Sequence, residues 1–202
     1  QVAKIVAAEH AEGRYYQTIE HGTYGGTLLD GDLFGYALNP SSMIDGPSQF
    51  DFYSGGGLDI AFLGFGEIDA QGNVNVSKLA GNTVGPGGFI DIAQNAAKVV
   101  FCGTFDTGGT KLAVGDGTLS VISPGRIGKF KQDVDQITFS GTQALKQKQN
   151  ILYVPERAVF QLTKAGVCLI EIAPGIDLHD DILDKMSFTP LIADDLKIMD
   201  TS

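Results

Sequence analysis

The sequence predicts an α/β fold with an open mixed sheet flanked by helices and bordered by β-hairpins. Nearly continuous apolar runs at 58–65 and 98–104 are typical of strands buried on both faces. Two further apolar runs, 158–162 and 167–172, flank a short polar turn at 163–166 and predict a hairpin. At 177–186 the apolar residues recur on one helical face, which predicts an amphipathic helix.

The other predicted elements follow from local composition. Helical spacing of apolar residues predicts a first helix at 2–9, with Gly13 as its stop. Turn residues and short periodic runs predict the rest. In chain order these are a β-type run at 15–19, a long irregular loop at 27–47, a short helix at 48–53, a hairpin turn at 71–73 leading into 74–76, a helix entered at Phe89, a hairpin at 111–123, a strand at 137–139, a polar helix at 142–149 and a strand at 151–154.

Composition bounds the class of protein. A chain of 202 residues suits one domain, 1–202, and can bury a sizeable core. No apolar run approaches the ~20 residues of a membrane span, so a membrane is not an expected partner. The formal charge of −10 repels phosphate backbones and argues against nucleic acid. No signal peptide opens the sequence, and Cys102 and Cys168 lie in apolar runs typical of buried, reduced thiols, which predicts a cytoplasmic protein.

Glycine is the outlier, at 27 residues, and its clusters lie between apolar runs. The first cluster follows the 15–19 run, which delivers Glu20 into a loop with Gly22, Gly25 and Gly26. A carboxylate at a strand end beside permissive backbone is where open α/β sheets place chemistry, so Glu20 is a candidate nucleophile. Another cluster, 85–88, precedes a helix and would offer backbone N–H groups to an anion or a developing oxyanion.

Each of these features also has a structural interpretation. A strand-end glutamate is commonly a solvated acid, and a glycine loop is commonly only a turn. Asp59, Glu67 and Asp69 are better read as adjacent loop acids than as metal ligands, and no CxxC or His-rich spacing indicates zinc, so no metal is expected. The histidines stand near no serine or cysteine nucleophile motif, which argues against a catalytic triad.

The combination of motifs is more specific than any one of them. In order, the chain carries TIEHGTYGG (18–26), SQFDFYSGGGLD (48–59), GEIDAQGNVNV (66–76), GPGGFIDI (85–92) and KVVFCGTF (98–105), followed by ERAVFQL (156–162), LIEIAPGIDL (169–178) and FTP (188–190). This series resembles the C-terminal, β-type half of family I CoA-transferases over nearly the whole chain. It is most similar to the single-chain enzymes that act on short-chain acyl-CoA with acetate or propionate.

The resemblance implies a ping-pong transfer of CoA between carboxylic acids through a glutamyl-CoA thioester. The family's glutamate matches Glu20, and its oxyanion-hole glycine matches Gly88, with Gly87 beside it. Possible CoA or substrate contacts are Gly56, Gly57, Asp59 and Asn75, although Asp59 stands where some members have Asn. No permanently bound cofactor is implied, because coenzyme A enters as the thioester substrate.

The resemblance also implies a CoA-transferase/isomerase-like, three-layer fold and a partner. The 202 residues would be a fragment lacking the N-terminal (α-type) half, the first strand of its own half and a short C-terminal tail. Little activity is then expected of the fragment alone. Basic residues are sparse near the glycine loops, Lys78 being the nearest, so the nucleotide end of CoA would be held elsewhere or left in solvent. A homo-oligomer is expected, since a fragment would expose apolar surface.

Two other functions remain open at this point. One is a non-catalytic sensor or interaction domain on the related isomerase-like fold, binding a sugar phosphate with its glycine loops and using Glu20 as a structural acid. The other is a structural subunit that completes the fold of a partner. Formation of a CoA adduct on Glu20 would separate the transferase from both.

Overall fold

The computed structural model describes residues 2–11, 13–29 and 31–200 and divides into two compact units, Gln1–Leu58 and Asp59–Ser202. The elements of the first unit are α1 (Val2–Ala8), β1 (Thr18–Ile19), β2 (Thr23–Tyr24), β3 (Thr27–Leu28), a 3-10 turn (Gly31–Leu33), β4 (Ala37–Leu38), β5 (Ser42–Met43) and α2 (Gly46–Ser54).

Short antiparallel strands organise the first unit. Strand β2 lies between β1 and β5, with Thr18 opposite Tyr24 and Thr23 opposite Met43, while β3 pairs with β4. Helix α2 begins where the Asp45 carboxylate accepts the backbone N–H of Ser48 at 3.2 Å, which satisfies one of the unpaired N–H groups of its first turn. The helix ends at Gly55, as the sequence predicts.

Three predictions for this unit need correction. Helix α1 forms but ends at Ala8, and His10, rather than Gly13, takes the left-handed conformation after it, with φ 51°. The 15–19 run pairs only at Thr18–Ile19, and Tyr16 before it is 69% exposed. The 27–47 segment, whose residue 30 lies outside the described residues, is not simply irregular. It contains three strands of two residues each, too short to leave a periodic pattern.

The second unit contains the main sheet. Its elements are β6 (Ile60–Gly64), β7 (Glu67–Ile68), β8 (Val74–Asn75), β9 (Lys78–Leu79), β10 (Asn82–Thr83), α3 (Phe89–Asn95), β11 (Lys98–Gly103), β12 (Asp106–Thr107), β13 (Lys111–Gly115), β14 (Thr118–Ser123), β15 (Ile127–Gly128), α4 (Gly141–Gln147), β16 (Asn150–Pro155), β17 (Ala158–Thr163), β18 (Gly166–Ile172), a 3-10 turn (Leu183–Lys185) and β19 (Leu191–Ile198).

Six of these strands form one mixed sheet in the order β19-β18-β17-β16-β11-β6. Strands β6, β11 and β16 are mutually parallel, β17 is antiparallel to both of its neighbours, and β19 runs parallel to β18. Helix α3 contacts β6, and α4 contacts β17. The predicted α/β fold with a mixed sheet and hairpins is confirmed.

Aromatic side chains fill the core at the neighbouring strands β11 and β16. Phe101 is fully buried, and its ring stacks on Tyr153 of β16 at 5.6 Å and meets Phe139 edge-on at 5.0 Å. The Tyr153 hydroxyl donates to the carbonyl of Gly72 at 2.6 Å, so the β7–β8 hairpin is tied to the sheet. Tyr153 therefore stabilises the fold both through its buried ring and through the hydrogen bond of its hydroxyl.

The apolar run at 58–65 does form a strand, but the predicted burial on both faces is wrong. Strand β6 lies at the edge of the sheet, with Ile60 41% exposed and Phe62 45% exposed. The same error affects Cys102, which stands near the carboxyl end of β11 and is exposed, whereas Cys168 is half-buried. An apolar run identifies a strand, but it does not say whether a neighbour covers each face.

Two further predictions miss the structure, and one strand was not predicted. The segment 177–186 is not an α-helix, because the Asp177 carboxylate accepts the backbone N–H groups of His179 and Asp180 and holds a turn instead. At 137–139 the structure has a single β-bridge, from Phe139 to Val74. Strand β19 was not predicted, because two aspartates interrupt its apolar pattern at the edge of the sheet.

No helix in the described ranges is both long and apolar enough to cross a membrane.

Candidate functional site

Glu20 stands in a tight turn directly after β1. The turn is closed by a hydrogen bond from the backbone N–H of Gly22 to the carbonyl of Ile19, at 2.9 Å. Gly22 has φ +92°, and a Cβ there would collide with the carbonyl of Ile44, whose own N–H donates to Gly22 at 2.9 Å. The turn therefore requires glycine at position 22 for two reasons, its backbone conformation and the space available.

A buried polar network lies beneath this turn. The side-chain amide of Gln49, on α2, is fully buried and approaches the carbonyl of Ile19 at 2.8 Å, the Thr18 hydroxyl at 2.6 Å and the Tyr53 hydroxyl at 2.5 Å. The Tyr24 hydroxyl donates to the other end of the same amide, Oε1. Helix α2 is thus hydrogen-bonded to β1, the strand that ends directly before Glu20.

The tyrosines of this network keep their protons at neutral pH. Burial is the main reason that the pKa of Tyr53 is raised, and the negative charge of Glu20 adds to the rise. Burial likewise raises the pKa of Tyr24. Both phenols therefore remain neutral hydrogen-bonding groups around the Gln49 amide.

Two other predicted contacts, Gly56 and Gly57, follow α2 in the same unit as Glu20. Their backbone N–H groups donate to the carbonyls of Tyr53 and Phe52, at 3.1 and 3.0 Å, and so close the helix. Gly57 is covered by the Phe52 ring, which leaves no room for a Cβ. The shape of this helix end accounts for both glycines without a ligand.

The remaining predicted residues belong to the second unit. Asn75 is fully buried, and its amide is engaged on both sides: Nδ2 donates to Glu67 and to the Lys78 carbonyl, while Oδ1 accepts the N–H groups of Ser77 and Lys78. Asn75 therefore shapes the loop before Lys78. Asp59 is exposed, and its carbonyl accepts the N–H of Lys98 at 3.0 Å.

The Gly87–Gly88 pair leads into α3, as the sequence predicts. Gly87 has φ +57° and is exposed, whereas Gly88 is buried and caps the helix, its carbonyl accepting the N–H of Ile92 at 3.0 Å. Of the predicted site residues, the first unit thus holds Glu20, Gly56 and Gly57, and the second holds Asp59, Asn75, Gly87 and Gly88.

Sequence reasoning missed the network around Gln49. The residue falls inside SQFDFYSGGGLD (48–59), yet no role followed from the motif alone. Gln49 stands between Ser48 and Phe50 on a short helix, and this local sequence does not indicate which strand the amide would reach.

A buried ionic cluster in the second unit was also missed. Arg157 is fully buried, pairs with Asp106 at 3.3 Å and with Glu156 at 2.9 Å, and stacks its guanidinium over the Phe105 ring at 4.6 Å. Burial lowers the pKa of the neighbouring Lys129, while the two carboxylates oppose that fall. Within the described residues, no group of three or more His, Cys, Asp or Glu side chains is arranged to hold a metal ion.

Known proteins match this chain closely over nearly its whole length. The acetate CoA-transferase YdiF of Escherichia coli O157:H7 is 46% identical over 199 residues, and the caffeate CoA-transferase of Acetobacterium woodii is 45% identical over 205 residues. A crystal structure of the YdiF apoenzyme superimposes with a TM-score of 0.93 at 44% identity, covering 99% of this chain. The chain is similar to family I CoA-transferases. The resemblance found in its motifs is confirmed.

The match has a defined extent. The chain spans 38% of the length of YdiF and 39% of that of the caffeate enzyme. A second YdiF structure is described as a thioester complex with CoA. The glutaconate CoA-transferase of Acidaminococcus fermentans, at 16% identity and a TM-score of 0.71, shares the fold. No protein-family model matches the chain.

Proposed function

We propose that this chain serves a CoA-transferase that moves CoA between a short-chain acyl-CoA and a free carboxylate such as acetate or propionate. Glu20 is the nucleophile and carries CoA as a glutamyl thioester. The observation that carries the proposal is the turn at Glu20, which closes on the Ile19 carbonyl and tolerates only glycine at position 22. Its support from relatives is the 46% identity to an acetate CoA-transferase.

The chemistry is balanced without redox change or net proton transfer. A Glu20 carboxylate oxygen attacks the acyl-CoA carbonyl and the C–S bond breaks. The products of this step are an acyl-glutamyl anhydride on Glu20 and free CoA thiolate. The thiolate then attacks the glutamyl carbonyl and expels the first carboxylate, which forms the glutamyl-CoA thioester. A second carboxylate repeats these steps in reverse order, so Glu20 is regenerated and a new acyl-CoA departs.

A glutamate needs help from its surroundings to act in this way. An ionised carboxylate is a weak nucleophile, so the rate must come from positioning, worth up to about 7–11 kcal/mol, and from donors to the developing oxyanion, worth about 3–4 kcal/mol each. The fixed turn supplies positioning. We assign the oxyanion donors to the backbone N–H groups of Gly87 and Gly88, on the basis of the family motif. Binding of the non-reacting part of CoA supplies further orientation.

The proposal is tested by trapping the glutamyl-CoA intermediate in the natural protein that carries this chain. After incubation with acetyl-CoA, the peptide containing Glu20 should gain the mass of CoA less one water, and hydroxylamine should remove the CoA adduct. Glu20→Ala should lose the adduct, whereas Glu9→Ala, which changes an exposed glutamate of the same unit, should keep it. An adduct that survives Glu20→Ala would contradict the assignment. Absence of any adduct would favour the sugar-phosphate-binding sensor.

The acyl range follows from a second measurement. Acetate, propionate and caffeate should be compared as acceptors, because one relative is named for acetate and another for caffeate. We expect the short acids to be preferred. The cytoplasmic location and the homo-oligomer remain predictions, which fractionation and light scattering of the natural protein would check.

A further inference from the structure

The Gln49 side chain is an unusual feature of a short, half-exposed helix. A buried amide must find partners for two hydrogens and one oxygen, and leaving any of them unpaired is costly. Here every buried polar atom of the amide has a partner. An apolar residue would fill the same volume without this requirement. Packing alone therefore does not explain why an amide stands at position 49.

The contact with Ile19 gives that reason. The carbonyl oxygen of Ile19 accepts two hydrogen bonds, one from the backbone N–H of Gly22 at 2.9 Å and one from Gln49 Nε2 at 2.8 Å. This carbonyl belongs to the peptide group that leads into Glu20. Two donors from different parts of the chain fix the plane of that peptide, and with it the direction in which the Glu20 side chain leaves the backbone.

The orientation of the amide is itself determined. Tyr24 donates to Oε1 of Gln49, so the NH₂ end has to face the Ile19 carbonyl. Tyr24 lies on β2, opposite Thr18 of β1, so the strand pair and α2 hold the amide between them. A flipped amide would place an oxygen against the Ile19 carbonyl and the NH₂ group against a phenolic donor.

We propose that Gln49 is a positioning residue for the nucleophile, acting through the Ile19–Glu20 peptide. The inference rests on the proposed role of Glu20 and extends it to a residue that no motif assigns. Gln49 touches neither the acyl group nor CoA in this account. Its loss should therefore slow the attack by Glu20 and leave acyl-CoA binding nearly unchanged.

Two substitutions of Gln49 by side chains of similar length separate the effect of the hydrogen bond to Ile19 from the effect of all the polar contacts of the amide. Gln49→Glu keeps an oxygen for Tyr24 but replaces the donor to Ile19 with a second oxygen. Gln49→Met keeps the volume and removes all the polar contacts. The matched control is Asp45→Ala, which removes the cap of the same helix and leaves the Gln49 side chain in place. All are made in the natural protein that carries this chain.

The readouts are the rate of adduct formation on Glu20, kcat, KM for acetyl-CoA and Tm. In both Gln49 variants we expect adduct formation and kcat to fall by about 10–100-fold with KM within threefold of the parent, because displacement of a reacting group by about 1 Å has such effects. Asp45→Ala should lower Tm by a few degrees and leave kcat within twofold.

The outcomes distinguish the two proposals. If Glu20→Ala abolishes the adduct while both Gln49 variants keep kcat within threefold of the parent per folded molecule, the positioning role is wrong and the nucleophile stands. If Glu20→Ala retains the adduct, both proposals fail. If Asp45→Ala lowers kcat as far as the Gln49 variants do, the helix as a whole is responsible and the specific role of Gln49 is contradicted.

Discussion

The hydroxyl of Tyr153 donates to the carbonyl oxygen of Gly72 while its ring stacks on Phe101, and the residue is fully buried. One side chain therefore joins strands β11 and β16 to the β7–β8 hairpin.

Tyr153→Phe should keep the stacking and lose the hydrogen bond. Because the Gly72 carbonyl would then lose its buried donor, the free energy of unfolding should fall by about 1–2 kcal/mol. Chemical denaturation monitored by circular dichroism measures this. A variant as stable as the parent would mean that water or another donor replaces the phenol.

Tyr153 should also make the protein sensitive to alkali. Burial, assisted by the charge of Asp69, raises the pKa of this phenol well above 10.0, so the folded state holds the proton more tightly than the unfolded state. Its contribution to stability is complete below pH 10 and is lost as pH rises toward the folded-state pKa. Tm measured from pH 8 to 11 should fall more steeply in the parent than in Tyr153→Phe. Parallel slopes would contradict the assignment.

Gly22→Ala should damage both the turn and the first unit. The new methyl group would meet the Ile44 carbonyl at a backbone conformation that L-residues rarely adopt, so we expect a loss of at least about 1–3 kcal/mol and of CoA-adduct formation. Gly46→Ala is the control, since a Cβ there has open space at the first residue of α2. It should be neutral or stabilising by up to about 1 kcal/mol. Equal effects at the two positions would refute the steric argument.

Arg157→Met should be strongly destabilising. Asp106, 4% exposed, would lose its charged partner in a buried setting, which typically costs about 3–5 kcal/mol. Lys197→Ala breaks an ion pair at 3.9 Å between exposed side chains and should change stability by less than about 1 kcal/mol. Thermal and urea denaturation of the two variants test the contrast. A mild effect at Arg157 would show that the cluster rearranges.

The sequence was most informative where a pattern depends on neighbouring residues. Hairpin β17–β18 and helix α2 follow from local turns and caps, and both were predicted. Whether a face is covered depends on distant strands, so the exposure of Ile60 on β6 could not be read from an apolar run. Strand β19 was missed for the complementary reason, since an edge strand tolerates charged residues along an exposed surface.

The candidate site likewise contains residues that the sequence could identify and residues that only the structure reveals. Glu20 and its glycines are contiguous in sequence, so a motif was enough to single them out. Gln49 reaches Ile19 across 30 positions of chain, and only the packing of α2 beside β1 reveals that contact. Asn75 illustrates the opposite case, a motif residue whose amide is fully engaged by its own loop.

The close approach of Gly22 to Ile44 has an evolutionary consequence. Because even a methyl group at position 22 would collide with Ile44, no substitution of Gly22 is neutral, and this position beside Glu20 should not vary. Leu33, Phe34 and Tyr36, by contrast, are each more than half exposed. Substitutions there disturb little of the packing within their unit. Lineages descending from this sequence should therefore diversify at positions 33, 34 and 36 while keeping glycine at position 22.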